Sequence, residues 1–377
     1  MKFTFADVEK VHRKYLYLDH DPDLLRIVMA TVIANRFPGV SVWITLVGPS
    51  GSGKTAVVKG LMGAGGCFFT SAVTPASFAS GSTGSSFLDD ADGKVWVMTD
   101  FSTLSKMPNE AKSQVFGIMR DVYDGRYERR TGRSPLPITW EGKIGFIGCT
   151  TALAAHEDIS EGQELGERML IIRMKKSNES VDAIASAAFD SDDTGDMKAD
   201  LEAVTGRFLD GFKLPKVELP SFVKSETLKL SKFIASARSG VKRDRYTKEV
   251  TFPAEEMREA PNRVIKQMRM MTMGLLAIGT EEDAIKRILT RIAMDCIPAD
   301  RLRTIRAIAD GLVLTSKLAL AVSVSQAVAL RTVEDLQLLG LVSKLDNRGI
   351  RLVPAVEALF KTANPDAEDA ADEGEDE

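Results

Sequence analysis

Cysteine and histidine are scarce, with three of each in 377 residues. Cys67, Cys149 and Cys296 lie far apart in apolar surroundings, which excludes the disulfide framework of a small secreted domain and suits a reducing compartment. His12, His20 and His156 stand in no metal-ligand spacing with one another or with cysteine, so no zinc site is expected. No apolar run approaches the roughly 20 residues that span a bilayer, and no membrane partner is expected. The N-terminal Met-Lys-Phe-Thr-Phe-Ala-Asp lacks an apolar leader. These absences together lead to the expectation of a cytoplasmic protein.

The chain has 44% apolar and 27% charged residues, ordinary for a globular protein of two or three domains. Its net charge of -4 hides an asymmetry. The last twelve residues hold eight acids and no base, which leaves residues 1–365 at +4. A mildly basic body with an acidic tail fits a nucleic-acid partner, although such tails are commonly just solvated.

Hydrophobic periodicity predicts two helices over 5–36, broken around Asp19-His20-Asp21-Pro22. From 41 to about 174 strands alternate with helices, the pattern of a three-layer α/β domain with a mostly parallel sheet. Strands are expected at 42–47, 66–70, 94–99, 143–148 and 169–174, with helices after Lys54 and over 108–123 and 152–164. Residues 177–200 are polar and acidic, and 200–280 read as helical. The expected organisation is N-terminal helices over 1–40, an α/β core over 41–176, a helical segment over 177–281, a C-terminal domain over 282–360, and a disordered acidic tail over 361–377.

The strongest motif is Gly48-Pro49-Ser50-Gly51-Ser52-Gly53-Lys54-Thr55, preceded by the apolar Val42-Trp43-Ile44-Thr45-Leu46-Val47 and followed by a helical stretch; these eight residues and Ala56 are the expected cofactor-binding residues. This is a phosphate-binding P-loop in its proper strand-to-helix setting. Its glycines let successive backbone N–H groups converge on phosphates, and the helix N-terminus adds partial positive charge. Lys54 is expected to reach the β- and γ-phosphates of ATP, and Thr55 to ligate Mg²⁺. Val95-Trp96-Val97-Met98-Thr99-Asp100 supplies the only strand-end acid, so Asp100 is the expected magnesium-site carboxylate. Its register leaves two possibilities. Either Asp100 holds the magnesium shell and Phe101 follows it, or Thr99 takes that place and Asp100 is the catalytic acid. A helix-capping aspartate is the structural alternative.

Three further segments resemble the AAA+ ATPases. Ile144-Gly145-Phe146-Ile147-Gly148-Cys149-Thr150-Thr151 is similar to the strand whose polar end senses the γ-phosphate, with Thr151 the first candidate and Thr150 the second. Leu165-Gly166-Glu167-Arg168-Met169 precedes another apolar strand, where the resemblance implies an arginine finger at Arg168 acting on a neighbouring subunit; capping of a helix C-terminus is the alternative. Ala260-Pro261-Asn262-Arg263-Val264 opens a long helix and resembles the start of a helical lid, with Arg263 as its nucleotide-sensing arginine. The resemblance covers roughly residues 25–280. It is nearest to ATPases encoded by phages and integrative elements. The missing Asp-Glu pair departs from the family pattern and leaves the catalytic base open.

Between the helix ending near Tyr123 and the sensor strand lie about twenty extra residues. They read as a β-hairpin whose flanks and turn carry Arg126, Arg129, Arg130 and Arg133. An insertion here resembles the pre-sensor-1 hairpin of a clade that includes ring helicases, which implies arginine contacts to nucleic-acid phosphates in a homo-oligomeric ring, a hexamer being favoured. A solvated hairpin or a subunit contact is the alternative. The stretch 224–248 is also basic.

The C-terminal pattern reads as a winged helix: helices at 300–310, 316–321 and 324–339, then a hairpin turning through Asp346-Asn347-Arg348-Gly349. Its third helix carries Arg331 against Glu334 and Asp335, so a protein partner is as plausible for it as DNA. The expected fold is thus an α/β P-loop core with a five-stranded mostly parallel sheet, a helical lid and a winged helix. The expected activity is that of an ATP- and Mg²⁺-dependent motor on nucleic acid, DNA first, serving mobile-element replication. An ATP-switched initiator, loader or filament-forming regulator without unwinding, and a protein-remodelling ring, are the competing readings.

Overall fold

Strand β1 (Trp43–Val47) is buried along its whole length, as a segment apolar but for Thr45 requires of a strand covered on both faces. The computed structural model describes residues 3–361 except 17, 19, 79–85, 131–136, 152–164, 166, 176–194, 245, 254–255, 257 and 346–348. The helix expected at 152–164, most of the acidic stretch 177–200, Gly166, Arg133 and the acidic tail beyond 361 lie outside the described residues.

The chain folds as two compact units, residues 1–228 with 262–292, and 229–261 with 293–377. The segment expected to act as one lid over 177–281 is therefore shared between them.

The first unit is built on β1, β2 (Cys67–Thr70), β3 (Val95–Met98), β6 (Gly145–Thr150) and β7 (Leu170–Arg173), with the hairpin strands β4 (Arg126–Arg129) and β5 (Ile138–Glu141) between β3 and β6 in sequence. The sheet order is β2-β3-β6-β1-β7, and every pairing in it is parallel. All five expected strands are present, within two residues of their expected bounds. The one real shift is β6, which starts at Gly145 rather than 143. Lys143 is held outside the ladder because its N–H donates to Asp92 Oδ1 (3.0 Å) and its carbonyl accepts from Gly93 N. Strand β6 continues instead to Thr150, opposite Val47.

Because all strands run the same way, the sheet has two chemically distinct edges. Gly48, Asp100, Thr151 and Met174 leave one edge, and Val42, Ile144 and Met169 enter the other. Trp43, Trp96 and Phe146 fill the core between, with edge-to-face or tilted contacts at ring separations of 4.9–5.4 Å. Both indole N–H groups are satisfied, by Ile144 O at 2.7 Å and Thr70 Oγ1 at 2.8 Å. The third tryptophan, Trp140 on β5, is also buried.

Helix α1 (Phe5–Tyr15) opens with a Thr4–Asp7 capping box, and α2 (Pro22–Ala34) is buried nearly all round. The P-loop helix α3 (Lys54–Lys59) is short, passing into a 3₁₀ turn over Gly60–Gly63. After α4 (Phe87–Ala91), α5 (Ser102–Ser105) and α6 (Asn109–Tyr123) come α7 (Gly195–Asp210), α8 (Ser221–Arg238) and α9 (Asn262–Ala277). The last of these is no loose cover. Its Met268, Met270, Met271 and Leu275 are buried, and a Cβ at Gly274 would stand 2.2 Å from the Ala30 carbonyl. Only glycine permits that approach, so α9 lies in backbone contact with α2.

The second unit comprises the end of α8, a loop over 239–261, the end of α10 (Glu282–Asp295), α11 (Ala299–Ala309), α12 (Thr315–Ala321), α13 (Gln326–Leu338), the antiparallel hairpin β8 (Val342–Leu345) and β9 (Gly349–Leu352), and α14 (Pro354–Lys361). Buried Arg301 donates to the carbonyls of Ala237 and Ser239 at the end of α8, the arrangement that satisfies orphan carbonyls at a helix C-terminus.

Candidate nucleotide site

The loop after β1 owes its shape to Gly51 and Gly53, whose φ values of 77° and 81° are readily adopted only by glycine. The loop is closed by Ser52, whose hydroxyl donates to Pro49 O at 2.8 Å. Lys54, buried at the start of α3, donates from Nζ to Gly48 O (2.8 Å), to Pro49 O and to Ser52 Oγ (3.2 Å). Its ammonium thus lies at the centre of the loop. Burial pulls the Lys54 pKa down, while Cys149 and Asp100 oppose that shift electrostatically. Burial pushes the neighbouring Cys149 thiol up to about 12, so it contributes no thiolate near neutrality. Thr55 and Ala56 follow, half-buried, on the first turn of α3.

Strand β6 lies between β1 and β3, and its end joins the two halves of the site. Thr150 O accepts from Gly48 N at 3.2 Å, and Cys149 O accepts from Phe101 N at 2.7 Å. The Thr150 hydroxyl is buried with no protein hydrogen-bond partner among the described residues; Thr151 is half-buried. Asp100 is exposed, and its Oδ1 accepts from Ser102 N at 3.0 Å and from Ser102 Oγ. These bonds close a short turn onto Ser102 with one of the two carboxylate oxygens, while Phe101 stands at the N-cap position of the following helix with no side-chain cap bond.

A cavity of about 400 Å³ opens beside the loop, lined by Gly51 to Ala56, Lys59, and Met197, Lys198 and Leu201 of α7. Lysine side chains at its wall and a glycine-shaped backbone cradle fit a polyphosphate. Among the described residues no group of three or more His, Cys, Asp or Glu could hold a metal unaided. Thr55 and Asp100 would suffice only for an ion whose remaining ligands are phosphate oxygens and water, the usual condition of Mg²⁺.

Arg168 and Arg263 belong to the opposite edge of the sheet. Arg168 precedes β7, whose Leu170 pairs with Ile44 near the start of β1, so the strand's length, roughly 15 Å, separates it from the P-loop. Arg168 is buried, bonded to Asp124 Oδ2 at 2.8 Å and stacked over the Tyr123 ring. Arg263 bonds Glu167 at 3.2 Å, and Gln267 one turn on donates to Arg168 O at 2.6 Å. The structure brings these two arginines together but does not bring Arg263 to the P-loop. Backbone packing of α9 on α2 fixes the start of α9 at the far edge.

Two arginines without a sequence signal lie on the loop's side instead. Arg291 of α10 makes a bidentate pair with fully buried Asp21 and donates to Arg173 O at 2.9 Å. Arg287 pairs with Asp23 at 2.8 Å. Burial opposes ionisation of Asp23, but Arg287, Lys175 and Arg291 outweigh it and hold the carboxyl below its usual range. Met174, next to Arg173, donates its N–H to Val47 O, and Ser52 Oγ approaches the Met174 sulfur at 3.4 Å. Arg291 thus props the chain that flanks the P-loop.

The expected hairpin is present. Tyr127 and Trp140 face each other across β4 and β5, and both are buried. Arg126, Arg129 and Arg130 are exposed, but Arg126 and Arg130 share Glu128 at 3.4 and 3.5 Å, a partner that a count of arginines overlooks. Such exposed pairs hold their members weakly. Comparison with protein-family models and with curated protein sequences returns no match.

Proposed function

We propose that the chain is an ATP-hydrolysing AAA+ motor that works as a homo-oligomeric ring on nucleic acid. The observation that carries the reading is the strand order, which sets β6 between the P-loop strand and the acid strand, so that the segments bearing Lys54, Thr55, Asp100, Thr150 and Thr151 all leave the same end of the parallel sheet. In this reading loop N–H groups and Lys54 bind and orient the phosphates. Thr55 and Asp100 hold Mg²⁺, which when bound neutralises charge on the transferring phosphoryl group. In the other register Thr99 takes that place and Asp100 orients the attacking water; in both, Thr151, with Thr150 second, reports the terminal phosphate. The C-terminal unit, with three helices and a hairpin in order, supports a winged-helix reading.

In this reading Arg168 serves a neighbouring chain, because the length of β1 separates it from its own P-loop. A guanidinium at the far edge acts on phosphate only if that phosphate belongs to another chain, exchanging Asp124 for it. Arg168→Ala is expected to bind nucleotide yet hydrolyse it about a thousandfold more slowly. Mixed with excess Lys54→Ala subunits, it should regain turnover, because those subunits supply intact arginines. Full activity of Arg168→Ala alone would remove it from the mechanism, and failure of the mixture would make its role structural.

The test of the whole reading is the ATPase rate with single-stranded DNA, duplex DNA and neither. Stimulation by DNA with strand displacement supports a helicase, and stimulation without displacement a loader or regulator. Replacing Arg129, Arg130 and Arg133 by alanine should lower the slope of log affinity against log salt by about 2 for single strands, with basal hydrolysis kept. An unchanged slope in fluorescence anisotropy would take the hairpin out of the contact.

A further inference from the structure

The loop joining α8 to α9 holds the most exposed large hydrophobic side chain among the described residues, Tyr246, at 87% exposure. It is presented by a small closed turn. Arg243 and Val250 form an antiparallel bridge, Asp244 N donates to Glu249 O at 2.8 Å, and Thr251 N to Lys242 O at 3.1 Å. Asp244 Oδ1 accepts from the backbone N–H of both Tyr246 and Thr247 at 2.7 Å. Lys248 completes the turn in the left-handed region, at φ 61°.

The turn is also anchored. Arg243 bonds Asp335 at 2.7 Å and Glu334 at 3.3 Å on α13. The two acids that count against DNA on α13 are therefore engaged by this arginine. The turn's outer surface joins Tyr246, Phe252 (51% exposed) and Val250 to exposed Lys242 and Lys248, with Lys242 Nζ 5.5 Å from the centre of the Phe252 ring. Glu249 is the exposed acid among them, since Asp244 is spent on the turn. Over 242–252 the sequence has four bases against two acids.

An exposed aromatic on a backbone-locked turn, flanked by lysines, has the makings of a stacking platform with phosphate contacts. Lysines on both flanks of the aromatic add the charge that a phosphate-bearing partner calls for. We infer that the 242–252 turn is a second nucleic-acid site, in which Tyr246 and Phe252 stack on unpaired bases while Lys242 and Lys248 meet the adjoining phosphates. The inference rests on the nucleic-acid reading above but not on the β4–β5 hairpin.

The experiment compares full-length wild type, Tyr246→Ala, Tyr246→Trp, Lys242→Ala/Lys248→Ala and Arg129→Ala/Arg130→Ala. Anisotropy of labelled single-stranded and duplex DNA is measured across a salt series. Tyr246→Ala should lose about tenfold or more in single-strand affinity, with an unchanged salt slope, little change on duplex and unchanged basal ATPase. Tyr246→Trp should retain affinity. The double lysine variant should flatten the slope by about 1.4. Wild-type affinity in Tyr246→Ala together with lost affinity in Arg129→Ala/Arg130→Ala would overturn this inference and leave the motor reading intact. An active ATPase that binds neither DNA at low salt would overturn both. Unchanged DNA affinity with weakened self-association of Tyr246→Ala in sedimentation would overturn it too, assigning the turn to a protein contact.

Discussion

Lys54→Ala is expected to lower ATP hydrolysis by at least about a hundredfold, the scale on which a single preorganised donor to a developing oxyanion acts. In the folded chain the ammonium is surrounded by loop acceptors, Gly48 O, Pro49 O and Ser52 Oγ. Its charge is therefore directed into the loop by the backbone, and alanine removes it without a substitute. The loss of these hydrogen bonds should cost no more than about 1–3 kcal/mol of stability. Inactivity would then coexist with a cooperative melt. The measurements are steady-state phosphate release and thermal denaturation of the same preparation. Turnover near that of the wild type would take the P-loop out of the chemistry.

Asp21→Ala is expected to produce the largest loss of stability, about 3–5 kcal/mol, because it strands a buried guanidinium. Asp21 is fully buried and holds both terminal nitrogens of Arg291, and its Oδ2 also accepts from Lys175 N at 3.1 Å. Removing the carboxylate orphans the charge and the amide together. The double replacement Asp21→Leu/Arg291→Met should recover most of the loss, since a well-packed apolar pair avoids the desolvation cost. Denaturant titration of the full chain separates these outcomes. A single variant within about 1 kcal/mol of wild type would mean that water or another group neutralises Arg291.

The parts of the fold legible in the sequence are those specified locally. The three inner strands β1, β3 and β6 are short, largely apolar segments buried along their whole length, and P-loop glycines mark their own turn. The aromatic pair of the β4–β5 hairpin follows from strand alternation, which puts Tyr127 and Trp140 on one face. What escapes is set by partners remote in sequence. Nothing around Arg263 reveals that Gly274 meets Ala30, yet that contact fixes where α9 begins. Asp21 and Arg291 are 270 positions apart, and each alone reads as a solvent-facing charge. Glu334 and Asp335 read as exposed acids on α13 because a charge count cannot see Arg243 arriving from another segment.

The placement of the tryptophans has a spectroscopic consequence. Trp43, Trp96 and Trp140 are all buried in the first unit, and the sequence of the second contains no tryptophan and one tyrosine, Tyr246. Emission excited at the red edge of protein absorption thus monitors the packing of the sheet and hairpin alone. Unfolding of the C-terminal unit leaves no direct mark in that signal and is read from backbone dichroism. A tryptophan installed at position 246 would give the second unit a reporter of its own, on the very turn whose stacking it would register.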